Sequence, residues 1–363
     1  MLCTGALSRA YPKLSTGTEA VSRLLPAGRQ RTAILTCWRY CPLRVPPSFA
    51  VMKPDLLVLV PVKDEYREMI ARHFEIHHVP DVRDQTPERL ARHAGVRAIL
   101  TNGTVGCRRE LLAVLPKVEL ICALGAGYEN IDLQTARERG ISVGNGAGTN
   151  DSCVADHAMG LLLAAVRRIV PLDAHTRGGG WRDTLPSPPN FSGKRLGILG
   201  MGTIGRKIAR RGLGFELEIG YHNRRRIEDE PHAYFGSAKE LAAWSDYLIV
   251  MTPGGAATHH LVDAEVLEAL GPGGFVINVA RGSVVDTAAL ANALRQGTIA
   301  GAGLDVYEGE PKLPEILKDL RNVVLTPHVA GTSPEAAQAS YQRFIDNATR
   351  HFSGQALVSA VPL

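Results

Sequence analysis

Hydrophobic positions from residue 52 onward fall into short continuous apolar runs, separated by longer stretches with helical spacing. The apolar runs predict buried strands at residues 56–60, 98–100, 119–123 and 141–143. Apolar residues spaced three or four apart predict intervening helices at residues 87–93, 109–115 and 131–139. This alternation of strands and helices is typical of an α/β unit built on a parallel sheet.

A second series of the same kind follows a long apolar stretch. Residues 154–170 predict one continuous helix that connects two domains, and the Gly- and Pro-rich residues 171–193 predict an irregular arm. Further apolar runs predict strands at residues 195–199, 247–250, 275–278, 301–305 and 323–325. A final helix at 334–352 comes after the last strand, so the chain can return to the first unit.

Residues 1–51 differ from the rest of the chain and show no strand or helix period. They carry seven Lys or Arg residues against one acid, Glu19, whereas the whole chain has a formal charge of +5, so the remainder carries −1. This composition is typical of a transit peptide, and also of an upstream extension ahead of a true start at Met52. We favour the extension, expect the segment to be disordered, and exclude it from the fold.

Composition narrows the possible functions. A chain of 363 residues that is 45% hydrophobic can form two cores. No apolar run approaches the ~20 residues needed to span a bilayer, and the near-neutral body offers no basic surface for nucleic acid. Cys107, Cys122 and Cys153 have neither disulfide nor metal-site spacing, which predicts reduced thiols in a cytoplasmic protein, or a mitochondrial one if residues 1–51 are a transit peptide. We predict no metal site, and expect His259 and His260 to be solvated.

A glycine string marks the start of the second series. Gly200, Gly202 and Gly205 follow the predicted strand 195–199 and lead into a helical stretch. In that context the first glycine permits a tight turn, the second lets the backbone approach a pyrophosphate, and the third lets helix and strand pack closely. The free N–H groups of the helix N-terminus would bind the phosphates. The string therefore predicts a dinucleotide-binding domain.

The residues after the next strand indicate which dinucleotide is bound. An acidic residue about twenty positions beyond the glycines would hold the adenine ribose hydroxyls of NAD. Here Asn223 occupies that place and is followed by Arg224, Arg225 and Arg226. Guanidinium groups bind a 2′-phosphate through paired donors, whereas a carboxylate would repel it. A solvated basic loop is the alternative interpretation; we predict NADPH/NADP+.

Together with the glycine string, several motifs resemble those of one family. They are Val154-Ala-Asp-His157, Thr252-Pro253, Asn278-Val-Ala-Arg281-Gly-Ser-Val-Val-Asp286, Gly303-Leu-Asp305-Val-Tyr-Glu-Gly-Glu310-Pro311 and Thr326-Pro-His328. From Met52 to the C-terminus the chain resembles the D-isomer-specific 2-hydroxyacid dehydrogenases. In motif detail it is most similar to their NADPH-dependent glyoxylate/hydroxypyruvate reductases.

The resemblance implies an α/β fold with two Rossmann-like or flavodoxin-like domains. The nucleotide domain, residues 154–333, would be inserted into a discontinuous substrate domain formed by residues 52–153 and 334–363. A homodimer is implied as well, in which Trp181 of the arm can reach the partner's substrate pocket.

The resemblance also assigns three catalytic residues, and their chemistry fits reduction of a 2-keto acid. Arg281 can pair with the substrate's carboxylate and carbonyl through its guanidinium. His328 can donate a proton to the carbonyl oxygen, because imidazole titrates near neutrality. Glu310 would bond the far ring nitrogen and favour the protonated imidazole. The backbone N–H groups of Ala126 and Gly127 would hold the substrate carboxylate.

The remaining implied contacts concern the cofactor. The resemblance places Asp305 at the nicotinamide carboxamide and gives further cofactor contacts to Thr203, Ile204, Thr252, Pro253 and Val279. The expected activity is reduction of glyoxylate, hydroxypyruvate or a related 2-keto acid to a D-2-hydroxy acid with NADPH. Two alternatives stay open: a reductase of 2-ketogluconate-type sugar acids, and a non-catalytic nucleotide sensor like the corepressors of this superfamily.

Overall fold

A computed structural model describes residues 53–363, and two parallel β-sheets organise this part of the chain. The first sheet has the strand order β2-β1-β3-β4-β5. Its strands are β1 (Asp55–Val58), β2 (Glu75–His78), β3 (Ala98–Asn102), β4 (Leu120–Leu124) and β5 (Ser142–Asn145). The expectations for residues 1–52 lie outside the described residues.

The second sheet has seven parallel strands in the order β12-β11-β10-β9-β6-β7-β8. They are β6 (Arg195–Leu199), β7 (Glu218–His222), β8 (Ala233–Tyr234), β9 (Tyr247–Val250), β10 (Phe275–Asn278), β11 (Gly301–Leu304) and β12 (Val323–Leu325). The strand order reverses between the neighbours β6 and β9, and in such sheets ligands bind at the carboxyl ends of strands beside this point. The glycine string begins directly after β6.

Twelve helices cover the sheets. They are α1 (Asp64–Ala71), α2 (Pro87–Leu90), α3 (Arg109–Ala113), α4 (Leu133–Arg139), α5 (Asp151–Val166), α6 (Ile169–Arg177), α7 (Thr203–Leu213), α8 (Ala238–Trp244), α9 (Ala264–Leu270), α10 (Thr287–Gln296), α11 (Glu315–Lys318) and α12 (Pro334–Phe352) within the described residues. None of them is both long and apolar enough to cross a membrane.

Each sheet is buried on both faces, as expected for parallel strands. In the first sheet Leu57, Ile99 and Ile121 join one apolar cluster, while their neighbours along the strands join the cluster on the opposite face. Helix α12 lies on that opposite face, where Tyr341 stacks on Tyr66 with ring centroids 4.4 Å apart. The last helix of the chain thus completes the core of the first sheet.

The two-sheet α/β fold confirms the predicted fold class, but the connecting helix was placed wrongly. The predicted helix 154–170 begins earlier, at Asp151, and ends at Val166. Arg168 has a φ of +54°, in the left-handed region that a non-glycine residue rarely adopts, and a separate helix, α6, runs into the predicted arm. The apolar pattern concealed this break because Ile169 and Val170, although exposed, continue it. Elements α1, β2 and β8 were also missed.

Candidate active site

Two of the three glycines of the string are required by the fold, and the third faces open space. Gly200 has a φ of +112°, and a Cβ there would lie 2.7 Å from the carbonyl oxygen of Met251. At Gly205 a Cβ would collide with the carbonyl oxygen of Gly200, so this glycine permits the close approach of α7 to β6. At Gly202 a Cβ would meet no atom within 4 Å, and that space is open to a ligand.

The first turn of α7 presents backbone donors that are unpaired within the described part of the chain. The N–H groups of Thr203, Ile204 and Gly205 have no acceptor among residues 53–363, and no side chain caps the helix. The Met201 N–H, in contrast, donates to Asn223 Oδ1 at 2.7 Å, which links the glycine loop to the end of β7. Free N–H groups at a helix N-terminus bind anions such as phosphate.

Two more features beside this loop fit a dinucleotide. Arg224, Arg225 and Arg226 are exposed, and their guanidinium groups make no hydrogen bond or ion pair within the described chain. Thr252, after β9, has a buried hydroxyl with no partner there, and its backbone N would lie 3.0 Å from a Cβ at Gly200. A buried hydroxyl without a partner is costly, and a bound ligand would satisfy it. Val279 is buried directly after β10, in the core rather than on the surface.

Further along this edge of the sheet, His328 and Glu310 form a hydrogen-bonded pair. The Nδ1–H of His328 donates to Glu310 Oε2 at 2.6 Å, while Glu310 Oε1 accepts the Tyr307 N–H at 2.9 Å. The Nε2 atom of His328 has no partner in the part of the chain that the structure describes, and the side chain is 43% exposed. His328 can therefore transfer a proton through Nε2 while Glu310 fixes its ring.

The pair also adjusts the ionisation of both groups. The hydrogen bond to Glu310 raises the pKa of His328 above its ordinary value, against burial and the nearby charge of Arg281, which lower it. Burial raises the pKa of Glu310, but hydrogen bonds from His328 and from the Tyr307 N–H outweigh it and leave this pKa below the usual carboxyl value. The pair thus favours a protonated imidazole beside an ionised carboxylate.

Asp305 holds the backbone on which His328 lies. Its carboxylate is 1% exposed and accepts the Thr326 hydroxyl at 2.6 Å and the N–H groups of Val329 and Ala330 at 2.9 and 2.8 Å. The His328 N–H donates to the Asp305 carbonyl at 2.8 Å, and His328 has a φ of +54°. A left-handed backbone conformation is strained for a non-glycine residue and persists only where the surrounding contacts impose it. A contact of Asp305 with a nicotinamide stays a prediction.

Arg281 extends from the loop after β10 towards the first sheet. Its Nη1–H donates to the Ala280 carbonyl at 2.6 Å, and its Nε–H donates to Glu129 Oε1 at 2.9 Å. A Cβ at Gly127 would collide with its Nη2. A Cβ at Gly254, just after Pro253, would lie 3.0 Å from its Cγ. The segment after β9 therefore adjoins both Arg281 and the glycine loop.

The loop after β4 places backbone N–H groups next to Arg281. The N–H groups of Ala126 and Gly127 have no acceptor among the described residues. The loop itself is held in place, because Asn145 Nδ2 donates to the Ala126 carbonyl at 2.8 Å and the Gly125 N–H donates to Ser340 Oγ at 3.1 Å. Sequence reasoning missed Asn145, Ser340 and Glu129, because only the tertiary fold brings them here.

The expectation that His260 is solvated was wrong. Its Nε2 pairs with Glu308 Oε1 at 2.9 Å, and its Nδ1 lies 3.6 Å from Asp286 Oδ2. The hydrogen bond to Glu308 raises the pKa of His260. His259 is exposed and stacks on His260. The carboxylate of this second histidine–carboxylate pair, Glu308, lies two residues before Glu310 in the chain.

Comparison with known proteins agrees with this geometry. The NAD binding domain of the D-isomer specific 2-hydroxyacid dehydrogenases matches residues 159–330. A hydroxyphenylpyruvate reductase from Plectranthus scutellarioides is 40% identical over 267 residues, which cover 73% of this chain and 85% of that protein. The chain belongs to the D-isomer-specific 2-hydroxyacid dehydrogenase family.

Two further members of the D-2-hydroxyacid dehydrogenases match most of the described chain. A 2-ketogluconate reductase from Gluconobacter oxydans is 36% identical over 310 residues, 85% of this chain and 99% of that protein. The structure of an NADPH-dependent glyoxylate/hydroxypyruvate reductase from Sinorhizobium meliloti, in complex with NADP and malonate, has a TM-score of 0.79 and 37% identity, and covers 85% of this chain and 97% of that one. The protein is thus a D-2-hydroxyacid dehydrogenase with a nicotinamide-binding domain.

Proposed function

We propose that this dehydrogenase reduces small 2-keto acids, glyoxylate and hydroxypyruvate among them, to D-2-hydroxy acids with NADPH. One observation carries the proposal: the His328–Glu310 pair lies close enough to Arg281 for the Arg281 charge to lower the pKa of His328, and Arg281 adjoins a loop whose N–H groups have no acceptor among residues 53–363. These groups supply a proton donor, a cation and a carboxylate site in one place. The reductase names of the relatives support the same reaction class.

Each residue then has a defined task. The Ala126 and Gly127 N–H groups and Arg281 Nη2 bind the substrate carboxylate, which fixes the orientation of the keto group. A reduced nicotinamide, when bound, supplies the hydride that adds to C2. His328 Nε2 gives its proton to the carbonyl oxygen as that oxygen gains charge. Glu310 stabilises the imidazolium before transfer and keeps the ring aligned afterwards.

The preference for NADPH rests on the end of β7. Three exposed guanidinium groups without partners in the described chain follow β7 and could bind a 2′-phosphate, and Asn223 adds no negative charge. The Sinorhizobium relative is called NADPH-dependent and has NADP bound. Both points support NADPH over NADH.

The substrate side chain has a second candidate. The Gluconobacter relative, matched over 99% of its length, is a 2-ketogluconate reductase, which favours a longer sugar acid as the alternative substrate. A non-catalytic nucleotide sensor gains no such support, because each of the relatives described above is a reductase.

A homodimer and a cytoplasmic location complete the proposal. Ile169 and Val170 of α6 are exposed, and Trp181 is 68% exposed, so this region presents apolar surface that a second copy could cover. The thiols of Cys107 and Cys122 are buried and form no disulfide within residues 53–363, which is typical of a reducing compartment.

A substrate panel tests the proposal. The protein is assayed with NADPH and with NADH against glyoxylate, hydroxypyruvate, hydroxyphenylpyruvate and 2-ketogluconate, and oxidation of the cofactor is followed at 340 nm. We expect the highest kcat/KM with NADPH and one of the two small acids. A higher kcat/KM for 2-ketogluconate would favour the sugar acid as the substrate instead. No turnover with any of the four acids would contradict the reductase assignment.

A further inference from the structure

We propose that Glu129 is a positioning residue that aims Arg281 at the substrate carboxylate. The inference rests on the proposed function and adds a residue to the same site. Glu129 belongs to the loop after β4 of the first sheet, and Arg281 belongs to the loop after β10 of the second sheet. Their ion pair therefore links the two sheets at the site. Both side chains are about one third exposed, Arg281 34% and Glu129 31%, which limits screening by solvent.

The hydrogen bonds of the guanidinium group show how it is aimed. Arginine has five N–H donors in a fixed plane. Glu129 Oε1 accepts from Nε, and the Ala280 carbonyl accepts from Nη1, so two of the three nitrogens are held by the chain. Nη2 has no partner among residues 53–363 and lies against Gly127. It is therefore presented to the free N–H groups that the proposed function assigns to the substrate carboxylate.

Two glycines make room for the Glu129 carboxylate. A Cβ at Gly127 would collide with Arg281 Nη2 and lie 2.7 Å from Glu129 Oε2, and a Cβ at Gly103 would lie 2.8 Å from the Gly127 carbonyl carbon and 3.0 Å from Glu129 Oε2. Neither glycine has a positive φ, so backbone conformation alone would allow other residues at both positions. Neighbouring atoms thus leave no room for a side chain at either position, and the Glu129 carboxylate that holds Arg281 is among those atoms.

The negative charge of Glu129 and its hydrogen bond to Arg281 have opposite effects on substrate binding. Glu129 lies close enough to the substrate site to repel a carboxylate, so through charge alone it would weaken substrate binding. Through its hydrogen bond it reduces the freedom of a long side chain before the substrate arrives, which strengthens binding. The proposal is that the hydrogen bond outweighs the repulsion.

Substitution separates these two effects. Glu129→Gln keeps an oxygen that can accept from Arg281 Nε but removes the charge, whereas Glu129→Ala removes both. We expect Glu129→Ala to raise the KM for hydroxypyruvate ~10-fold, because one charge-assisted contact no longer orders Arg281. Glu129→Gln should restore KM to within about threefold of the parent, and both variants should bind NADPH with the parental Kd, measured by fluorescence titration.

A matched control is Glu265→Ala, which removes the partner of Lys239 in an exposed ion pair on another surface and should leave KM unchanged. Parental KM in Glu129→Ala would overturn the proposal. A KM of Glu129→Gln well below the parental value would also overturn it, since repulsion would then dominate. So would a KM of Glu129→Gln as high as that of Glu129→Ala. If Glu129→Ala does not fold, Glu129→Gln alone decides between hydrogen bond and repulsion. A parent that reduces no 2-keto acid would instead refute the proposed function.

Discussion

Replacement of Glu310 by glutamine tests how the His328–Glu310 pair controls proton transfer. In the parent, the hydrogen bond to Glu310 raises the pKa of His328, so the imidazole stays protonated to higher pH. Reduction needs that proton and is lost only as the pH rises through the raised pKa. Glu310→Gln removes the negative charge, so the alkaline limb of the kcat profile should move to lower pH.

The structure sets the size of the effect. The bond between His328 Nδ1 and Glu310 Oε2 is 2.6 Å long, and hydrogen bonds between charged groups contribute about 1.5–3 kcal/mol. His328 is 43% exposed, and solvent screens the pair, so we take the lower end, about 1.5 kcal/mol. Since 1.4 kcal/mol is a factor of ten, kcat for reduction should fall ~10-fold at pH 8. At pH 6, where imidazole is protonated without help, the loss should be about threefold or less.

The assay is the pH dependence of kcat in both directions. Oxidation of the 2-hydroxy acid needs neutral His328, so Glu310→Gln should move the acid limb of that reaction to lower pH and raise its relative rate there. The matched control is Glu308→Gln, which removes a carboxylate from the same segment but from the other histidine, His260. Glu308→Gln should leave both limbs in place. The reasoning is refuted if the limbs stay fixed in Glu310→Gln, or if Glu308→Gln moves them equally.

Two more predictions concern the cofactor site. Gly202→Ala should leave the melting temperature unchanged but raise the KM for NADPH at least ~10-fold, because its methyl group enters space left for a ligand. Gly205→Ala should instead lower the free energy of unfolding by about 1–3 kcal/mol, because its methyl group clashes with the backbone. Equal melting temperatures in the two variants would contradict this. The parent should favour NADPH over NADH ~10–1000-fold in kcat/KM. The double variant Asn223→Asp, Arg224→Ala should reverse that order, since aspartate can bond ribose hydroxyls and still accept the Met201 N–H. A parent that favours NADH in steady-state kinetics would refute the cofactor preference.

Sequence patterns predicted the buried strands of the second sheet best. The strands at 195–199, 247–250, 275–278 and 323–325 and the helix at 334–352 are confirmed at both ends. Strands β6, β9 and β10 are buried almost throughout and leave continuous apolar runs bounded by polar turns, whereas β12 is only partly buried. Helix α1 and strand β2 were missed, because they are partly exposed and their apolar residues are few.

From the residues alone, the site was predictable only where one local motif contains all the partners, whereas the pairing of Glu310 with His328 was expected from the family resemblance. The glycine loop is one strand, turn and helix, so each glycine's task could be derived from its place in the motif. The left-handed conformation of His328, the anchoring of its loop by Asp305 and the pairing of Arg281 with Glu129 depend on contacts between distant segments. No spacing along the chain encodes such contacts.

Transfer of deuterium from the cofactor to the substrate tests the proposed reduction itself. Hydroxypyruvate is incubated with the protein and with NADPH that carries deuterium at the transferred C4 position, and the product is analysed by mass spectrometry and chiral chromatography. We expect D-glycerate with one deuterium at C2, and a loss of at least ~100-fold in its rate of formation in His328→Ala. L-Glycerate, product without deuterium, or parental rates in His328→Ala would contradict it.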